Sequence, residues 1–262
     1  MKWSREAEEA VSKVPFFVRR RVRKRVEEEA ANAGSPVVTL EHVHSCRRRF
    51  LDNMESEVKG HQLEQCFGPG GCPNRAFVAA GLYEELEELL ASHCVKDFLK
   101  SRVQGPLKLH HEFRVSISDC PNACSRPQIA DLGLIAASVP RVSSEECGKC
   151  GACVDACREG AVRIEESGPI LDLNQCVACG ACIRECPTGT LEEESRGFRI
   201  MVGGKLGRHP QLAKELEGVH SRERVLAIVD ACIRHFKDHC TCGERFGEIL
   251  NRTGLRFLDE AR

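Results

Sequence analysis

Twelve of the seventeen cysteines in this 262-residue chain fall into three sets of four. Cys147, Cys150, Cys153 and Cys157 follow the spacing C-x2-C-x2-C-x3-C, and Cys176, Cys179, Cys182 and Cys186 repeat it, with Pro187 after the last. The third set is split, since Cys66 and Cys72 enclose FGPGG whereas Cys120 and Cys124 enclose PNA far downstream. A disulfide framework belongs to short secreted chains. Here the first residues, MKWSREAEEAVSK, are charged, and no run approaches the ~20 apolar residues of a membrane span. The thiols are therefore expected to be cytoplasmic, reduced and metal-bound. Two full repeats of one spacing are too regular for chance or for unrelated zinc knuckles.

The repeated run resembles that of bacterial two-cluster ferredoxins, in which the fourth cysteine of each run ligates the other cluster. That resemblance places one 4Fe–4S cube on Cys147, Cys150, Cys153 and Cys186 and a second on Cys176, Cys179, Cys182 and Cys157. Gly151 and Gly180 occupy matching places where a bare backbone can approach sulfide. Arg158 stands where proline usually follows the fourth cysteine.

The split set has another relative. QCFGPGGCPN, FRVSISDCPNACSRPQIADLGLI and FRIMVGGKLGRHP resemble one half of the repeated fold of sirohaem sulfite and nitrite reductases. The resemblance implies a third 4Fe–4S cube on Cys66, Cys72, Cys120 and Cys124, with Cys124 also the proximal ligand of a sirohaem. A thiolate shared by cube and haem couples them electronically, and axial ligand identity is a main control on such a metal. Sirohaem carboxylates and an oxyanion substrate both call for fixed cations. Candidates for the cofactor are Arg75, Arg126, Lys205 and Arg208. Candidates for catalysis are Arg114, Lys108, His110 and His111, Arg114 being the strand position that the family gives to a basic residue of its substrate face.

The expected fold is α+β: half of the sulfite/nitrite reductase fold (58–140 and 195–262), an inserted two-cluster ferredoxin domain (141–194) and a small N-terminal helical domain (1–57). The segment VPFFVRRRVRKRVEEEAANAG with VTLEHV resembles the helical domain at the C-terminal end of a light-independent protochlorophyllide reductase subunit. Trp3 to Lys13 reads as a short helix, Pro15 opens a longer one, and Thr39 caps a third. Phe77, Leu82, Leu86, Leu89, Leu90, Phe98 and Leu99 follow a helical spacing. EFRVSIS alternates as a half-buried strand leading into Cys120, and GFRIMVGG is another strand. Gly203-Gly204 reads as a turn, a helix beginning near Pro210 would aim free N–H groups at an anion, and a helix is expected over Ser221–Asp238, burying Val225, Ile228, Val229, Cys232 and Phe236. Cys94 and Cys232 read as small buried hydrophobes, and Cys240 and Cys242 carry no assigned chemistry.

The formal net charge is -1, which favours neither nucleic acid nor a membrane surface. The charge is uneven, however. Residues 1–50 carry 12 Lys/Arg against 7 Asp/Glu, whereas residues 145–194 carry 4 against 11. Together these features predict a sirohaem and iron–sulfur oxidoreductase that reduces sulfite, or nitrite, with electrons from an external donor passed through the insert. Only one motif-bearing half is present, so a homodimer or a related partner chain is expected. A second reading stays open: a non-catalytic iron–sulfur subunit that transfers electrons within a larger redox complex.

Overall fold

The computed structural model describes residues 1–259 and divides into two compact units. One comprises Met1–Val58 with Gln104–His110, and the other Lys59–Val103 with the residues from His111 onward.

In the first unit β1 (Lys2–Trp3), α1 (Arg5–Ser12), α2 (Phe16–Asn32), β2 (Val37–Val38) and α3 (Leu40–Glu57) follow in order. Ser4 caps α1 by accepting the Ala7 N–H at 3.3 Å. At the start of α3 the Thr39 N–H donates to His42 Nδ1 at 3.0 Å. Ala7, Val26, Ala30 and Val38 form a small core, onto which Trp3, Val22, Val43 and Cys46 pack. Alanine at two of those four positions removes bulk where α1 and α2 meet the β1–β2 pair. Arg20, Arg21, Lys24 and Arg25 on α2 face solvent.

The second unit holds β3 (His61–Gln65), α4 (Leu82–Ser92), α5 (Val95–Arg102), β4 (Phe113–Ser118), β5 (Leu132–Val142), α6 (Ala152–Ala156), β6 (Val162–Glu165), β7 (Gly168–Leu171), α7 (Ala181–Arg184), β8 (Leu191–Val202), β9 (Lys214–Glu215), α8 (Arg222–His239) and α9 (Phe246–Thr253). Its main sheet has the order β3-β4-β5-β8-β9. The pairs β3–β4 and β4–β5 are parallel, while β5–β8 and β8–β9 are antiparallel. Phe113 of β4 packs its ring against Phe236 of α8 and Phe246 of α9, with centroids 5.5 and 5.3 Å away. Ser221 caps α8 by accepting the Arg224 N–H, and Val225, Ile228, Val229, Cys232 and Phe236 are buried beneath that helix.

Residues 143–190 leave from the far end of β5 and return through β8, so this segment is a hairpin connection grown into a subdomain. It carries its own two-stranded sheet, β6–β7, and a core of Cys153, Val162, Cys182 and Leu191. The long ladder shifts register between Val139 and Pro140. Proline has no N–H for a ladder, and a bulge is where a strand tolerates it.

Four readings are corrected. The strand over 113–118 is not half-buried, because five of its six residues are buried; it lies between two neighbours, with helices on one face and residues 120–130 on the other. The periodic stretch from Phe77 to Leu99 is two helices, broken where Cys94 takes a left-handed φ of 47°. That turn throws Cys94 out of the apolar phase, and it is exposed rather than buried. No helix starts at Pro210, where Lys205 and Gln211 instead exchange backbone hydrogen bonds at 2.9 Å. No helix among the described residues is long and apolar enough to cross a membrane.

Candidate metal centre

β3 and β4 run parallel with Gln65 opposite Ile117, so both strands deliver a cysteine at the same sheet edge. Cys66 donates its N–H to the Ile117 carbonyl at 3.0 Å. Its sulfur in turn accepts the N–H groups of Asp119, at 3.2 Å, and Gly68, at 3.4 Å. The connection to Cys72 turns tightly over Gly68–Gly70 and closes at Gly71 with a φ of 100°. A Cβ on Gly68 would fall 2.0 Å from an Asp119 carboxylate oxygen, so only glycine lets this turn approach β4. After Cys120, Ala123 and Arg126 take left-handed φ values of 53° and 59°. Three serines hold this return loop, since Ser125 Oγ donates to the Ile117 carbonyl, Ser118 Oγ lies 2.6 Å from Ser125 Oγ, and Ser116 Oγ donates to the Ser125 carbonyl. Cys124 is exposed at the rim, with Asn122 Nδ2 donating to its sulfur at 3.7 Å.

The return loop also depends on β5. A Cβ on Gly133 would meet the Pro127 carbonyl oxygen at 2.3 Å. Gly133→Ala is therefore expected to lift residues 124–128 off the sheet and to cost ~1–3 kcal/mol of overpacking strain. Thermal unfolding and iron analysis check this, with the loss confined to iron bound by the Cys66 set.

The two repeats within 143–190 match in backbone as well as spacing. Lys149 and Ala178, each the residue before the second cysteine, have φ values of 51° and 56°, and Gly151 and Gly180 follow at 80° and 68°. Each left-handed turn aims an N–H back at a sulfur: Lys149 donates to Cys147 at 3.3 Å and Ala178 to Cys176 at 3.4 Å. Such nests of successive N–H groups are a recurrent cradle for anionic iron–sulfur sites. Non-glycine residues in this region carry strain of order 1–3 kcal/mol, which concentrates at functional sites.

Electrostatics groups the thiols. Burial raises the Cys120 pKa, and Cys66, Cys72 and Cys124 raise it further. Burial raises that of Cys153, with Cys186 and Cys147 adding to it. Cys182 is pushed up to about 11 by burial, then by Cys176, Cys179 and Cys157. Burial also works against the Cys186 thiolate, but hydrogen bonds from Leu191, Thr188 and Gly189 outweigh it and lower that pKa. Cys186 thus acts on Cys153 of the other run, and Cys157 on Cys182. Among the described residues no three His, Cys, Asp or Glu side chains converge on a single ion. A cube gives each thiolate its own iron, so four thiols spaced around a cavity fit it without such convergence. The set Cys157, Cys176, Cys179 and Cys182 lines a cavity of ≈ 200 Å³, and Asn74, Cys120, Pro121 and Asn122 line the same cavity.

The basic candidates are dispersed. Arg75 is half-buried two residues after Pro73, and its charge acts on Asp119, whose pKa is raised chiefly by burial. Arg126 and Arg208 are exposed. Lys205 is buried, and its Nζ donates to Glu248 at 2.6 Å. Arg114 is six residues before Cys120, about 20 Å along a strand at ~3.3 Å per residue; its N–H donates to Asp131 at 2.9 Å. His111, half-buried, comes near Gly243, and Lys108 and His110 belong to the first unit. The left-handed Ala123, Lys149 and Ala178 escape sequence reasoning because none is glycine. Their position just before a cysteine of each loop is the signal that marks them.

A family model described as the nitrite and sulphite reductase 4Fe-4S domain matches residues 64–261, and one described as the proto-chlorophyllide reductase 57 kD subunit matches residues 3–47. The coenzyme F420-dependent sulfite reductase of Methanocaldococcus jannaschii is 33% identical over 198 residues, covering 73% of this chain and 30% of that protein. A subunit of the anaerobic sulfite reductase of Salmonella typhimurium is 30% identical over 105 residues, covering 40% and 26%. The chain thus spans less than a third of these curated relatives. Among solved structures, a dissimilatory sulfite reductase I aligns with a TM-score of 0.47 at 17% identity over 86% of this chain and 58% of that one. Mycobacterium tuberculosis NirA aligns with 0.40 at 21% over 76% and 26%.

Proposed function

The chain belongs to the nitrite and sulphite reductase 4Fe-4S domain family, and on that footing we propose that it is the iron–sulfur and haem-carrying half of a sulfite-reducing oxidoreductase. In this reading residues 58–140 and 195–262 form the reductase domain, 141–194 the ferredoxin insert and 1–57 the helical domain. The single observation that carries it is the cavity shared by Cys157, Cys176, Cys179 and Cys182 with the Cys120–Asn122 turn. A cube held there abuts the Cys66, Cys72, Cys120 and Cys124 quartet, which is the arrangement a path for single electrons needs. The remaining quartet includes the exposed Cys150 and is the natural point of entry from an external donor.

The resemblance to the sirohaem reductases assigns the proximal ligand to Cys124, and its exposure leaves it open to such a group. When bound, a sirohaem would supply the redox-active iron for the reduction of sulfite, or nitrite. Arg75 and Arg126 flank the quartet and are assigned to its anionic groups, Arg126 through charge alone and Arg75 from a partly desolvated position where charge counts for more. Arg208 lies on an exposed loop and can serve the same end. Lys205 is engaged with Glu248 and is assigned to positioning, while Arg114, held through its backbone N–H by Asp131, is assigned to the substrate face. Of the candidates Lys108, His110 and His111, a substrate proton is assigned to His111, which belongs to the same unit as the quartets.

The carrier reading keeps one specific support: a relative of this chain is itself named a subunit, which favours a second chain as partner in either case. Anaerobic metal analysis with tetrapyrrole extraction distinguishes the two. Three cubes and one haem iron give about 13 irons per chain. About 12 with no tetrapyrrole makes the chain a carrier, and about 8 removes the third cube as well.

A further inference from the structure

We propose that Ser138, Glu193 and Arg196 form a clasp that positions the inserted segment for electron transfer, holding the loop of Cys176 and Cys179 at a fixed separation from the Cys120–Asn122 turn. The inference rests on the reading above, that the quartets hold cubes. The three are positioning residues, acting through the backbone they hold.

The clasp is made by the irregularity in the β5–β8 ladder. Ser138 pairs with Arg196 and Val139 with Ser195, but Pro140 pairs with Glu193, so Glu194 is an extra residue on β8. In an unbroken ladder Glu194 would pair with Pro140 and Glu193 would point to the other face; the bulge re-aims Glu193 onto the face shared by Ser138 and Arg196. There its Oε2 accepts the Ser138 hydroxyl at 2.6 Å and Arg196 Nε at 3.0 Å.

Both ends of the clasp are gripped. Ser138, which is buried, donates its N–H to the Ala178 carbonyl at 2.8 Å and forms a bridge to Cys179. A Cβ on Gly180 would come 3.0 Å from Ser138 Cβ, so the cysteine loop is seated closely against β5. At the other end the Arg196 guanidinium lies 5.4 Å from the Phe77 ring centroid, and Phe77 packs edge-on against Phe198 of β8 at 5.4 Å. Ala76, just before Phe77, donates its N–H at 2.7 Å to the carbonyl of Asp119, the residue before Cys120. One bonded and packed chain thus runs from the Cys179 loop through Ser138, Glu193, Arg196 and Phe77 to the peptide that precedes Cys120. Pro140, on the same face as Ser138, lines the cavity shared by the second quartet and the Cys120–Asn122 turn.

An electron passing between two cubes oxidises one and reduces the other, and no bond is made or broken. Its rate falls exponentially with their separation, so a loop that drifts from the sheet loses rate before it loses iron. The Glu193–Arg196 pair alone contributes little at a surface. The bond from the buried Ser138 to a carboxylate is charge-assisted and stronger, and it is this bond that fixes the loop.

The test is electron paramagnetic resonance of the fully reduced holoprotein, where spin coupling between neighbouring cubes splits their signals, with iron counted and hydrogen exchange followed over residues 176–182. Ser138→Ala and Glu193→Ala should keep full iron, weaken that splitting and speed the exchange by about tenfold, as loss of a hydrogen bond to a charged group implies. Glu193→Gln retains an oxygen for Ser138 and should keep most of both wild-type values. Wild-type splitting and exchange in the two alanine variants would overturn the clasp. So would a Glu193→Gln no better than Glu193→Ala, or a wild-type protein at full iron content with no splitting. Wild-type protein lacking one cube's iron would instead overturn the assignment beneath it. If Ser138→Ala loses iron or does not fold, Glu193→Ala and Glu193→Gln decide the outcome.

Discussion

Cys124→Ser is expected to remove the tetrapyrrole and to disturb the third cube in the same variant, whereas Cys153→Ser should lose only a cluster of the inserted segment. The argument is one of position. Cys124 closes the quartet with Cys66, Cys72 and Cys120, whose mutual influence is felt at Cys120, yet unlike Cys120 it is exposed. A thiolate that serves both sides cannot be replaced by a weaker oxygen ligand without loss to both. Turnover with sulfite should fall by more than the ~100-fold that changes in outer-shell partners cost at metal sites. Visible spectra and iron content of the two variants check this. Normal haem absorption in Cys124→Ser would remove the shared-ligand assignment while leaving the three quartets intact.

Local chemistry is legible in the sequence to the extent that it is written in short spacings. The quartets are proposed from the sequence because a loop wrapping a cube calls for closely spaced cysteines. The helix start at Thr39 is readable for the same reason: a short polar residue just before an apolar-periodic run marks an N-cap, and the Thr39 N–H is satisfied there by His42 Nδ1. Burial is less legible. Alternation in FRVSIS suggests one wet face, but Ser116 and Ser118 turn inward to hold Ser125, so polar residues there mark a buried bond rather than solvent. Cys94 escapes the helical pattern because one left-handed residue resets its phase. Arg114 resembles a substrate-facing residue by its strand position, and only the fold shows its backbone joined to Asp131. Ion pairs such as Asp131–Arg245, separated by 114 residues, have no local signature at all.

That pair leads to the largest stability effect expected. Asp131 is 1% exposed, and its Oδ2 accepts both the Arg114 N–H, at 2.9 Å, and Arg245 Nη2, at 2.6 Å. Burial pushes its pKa above the ordinary carboxylate value despite the opposing pull of Arg245 and Arg114. A raised folded-state pKa means that the proton-bound form is favoured in the fold, so this group's contribution is fullest below the unfolded pKa and is lost as pH rises through the folded one. Arg245→Met removes the chief counter-charge and raises that pKa further. At neutral pH it should destabilise the protein by about 3–5 kcal/mol, the cost of stranding a buried charge. The loss should shrink as pH falls and Asp131 takes up a proton. Adding Asp131→Asn to Arg245→Met should recover much of the stability at pH 7, because no charge is then left unpaired. Urea unfolding of the three variants at pH 7 and pH 5 measures each step. A deficit in Arg245→Met that did not diminish on acidification, or a double variant no better than the single one, would assign the loss to packing around the Arg245 stem instead of to the carboxylate it neutralises.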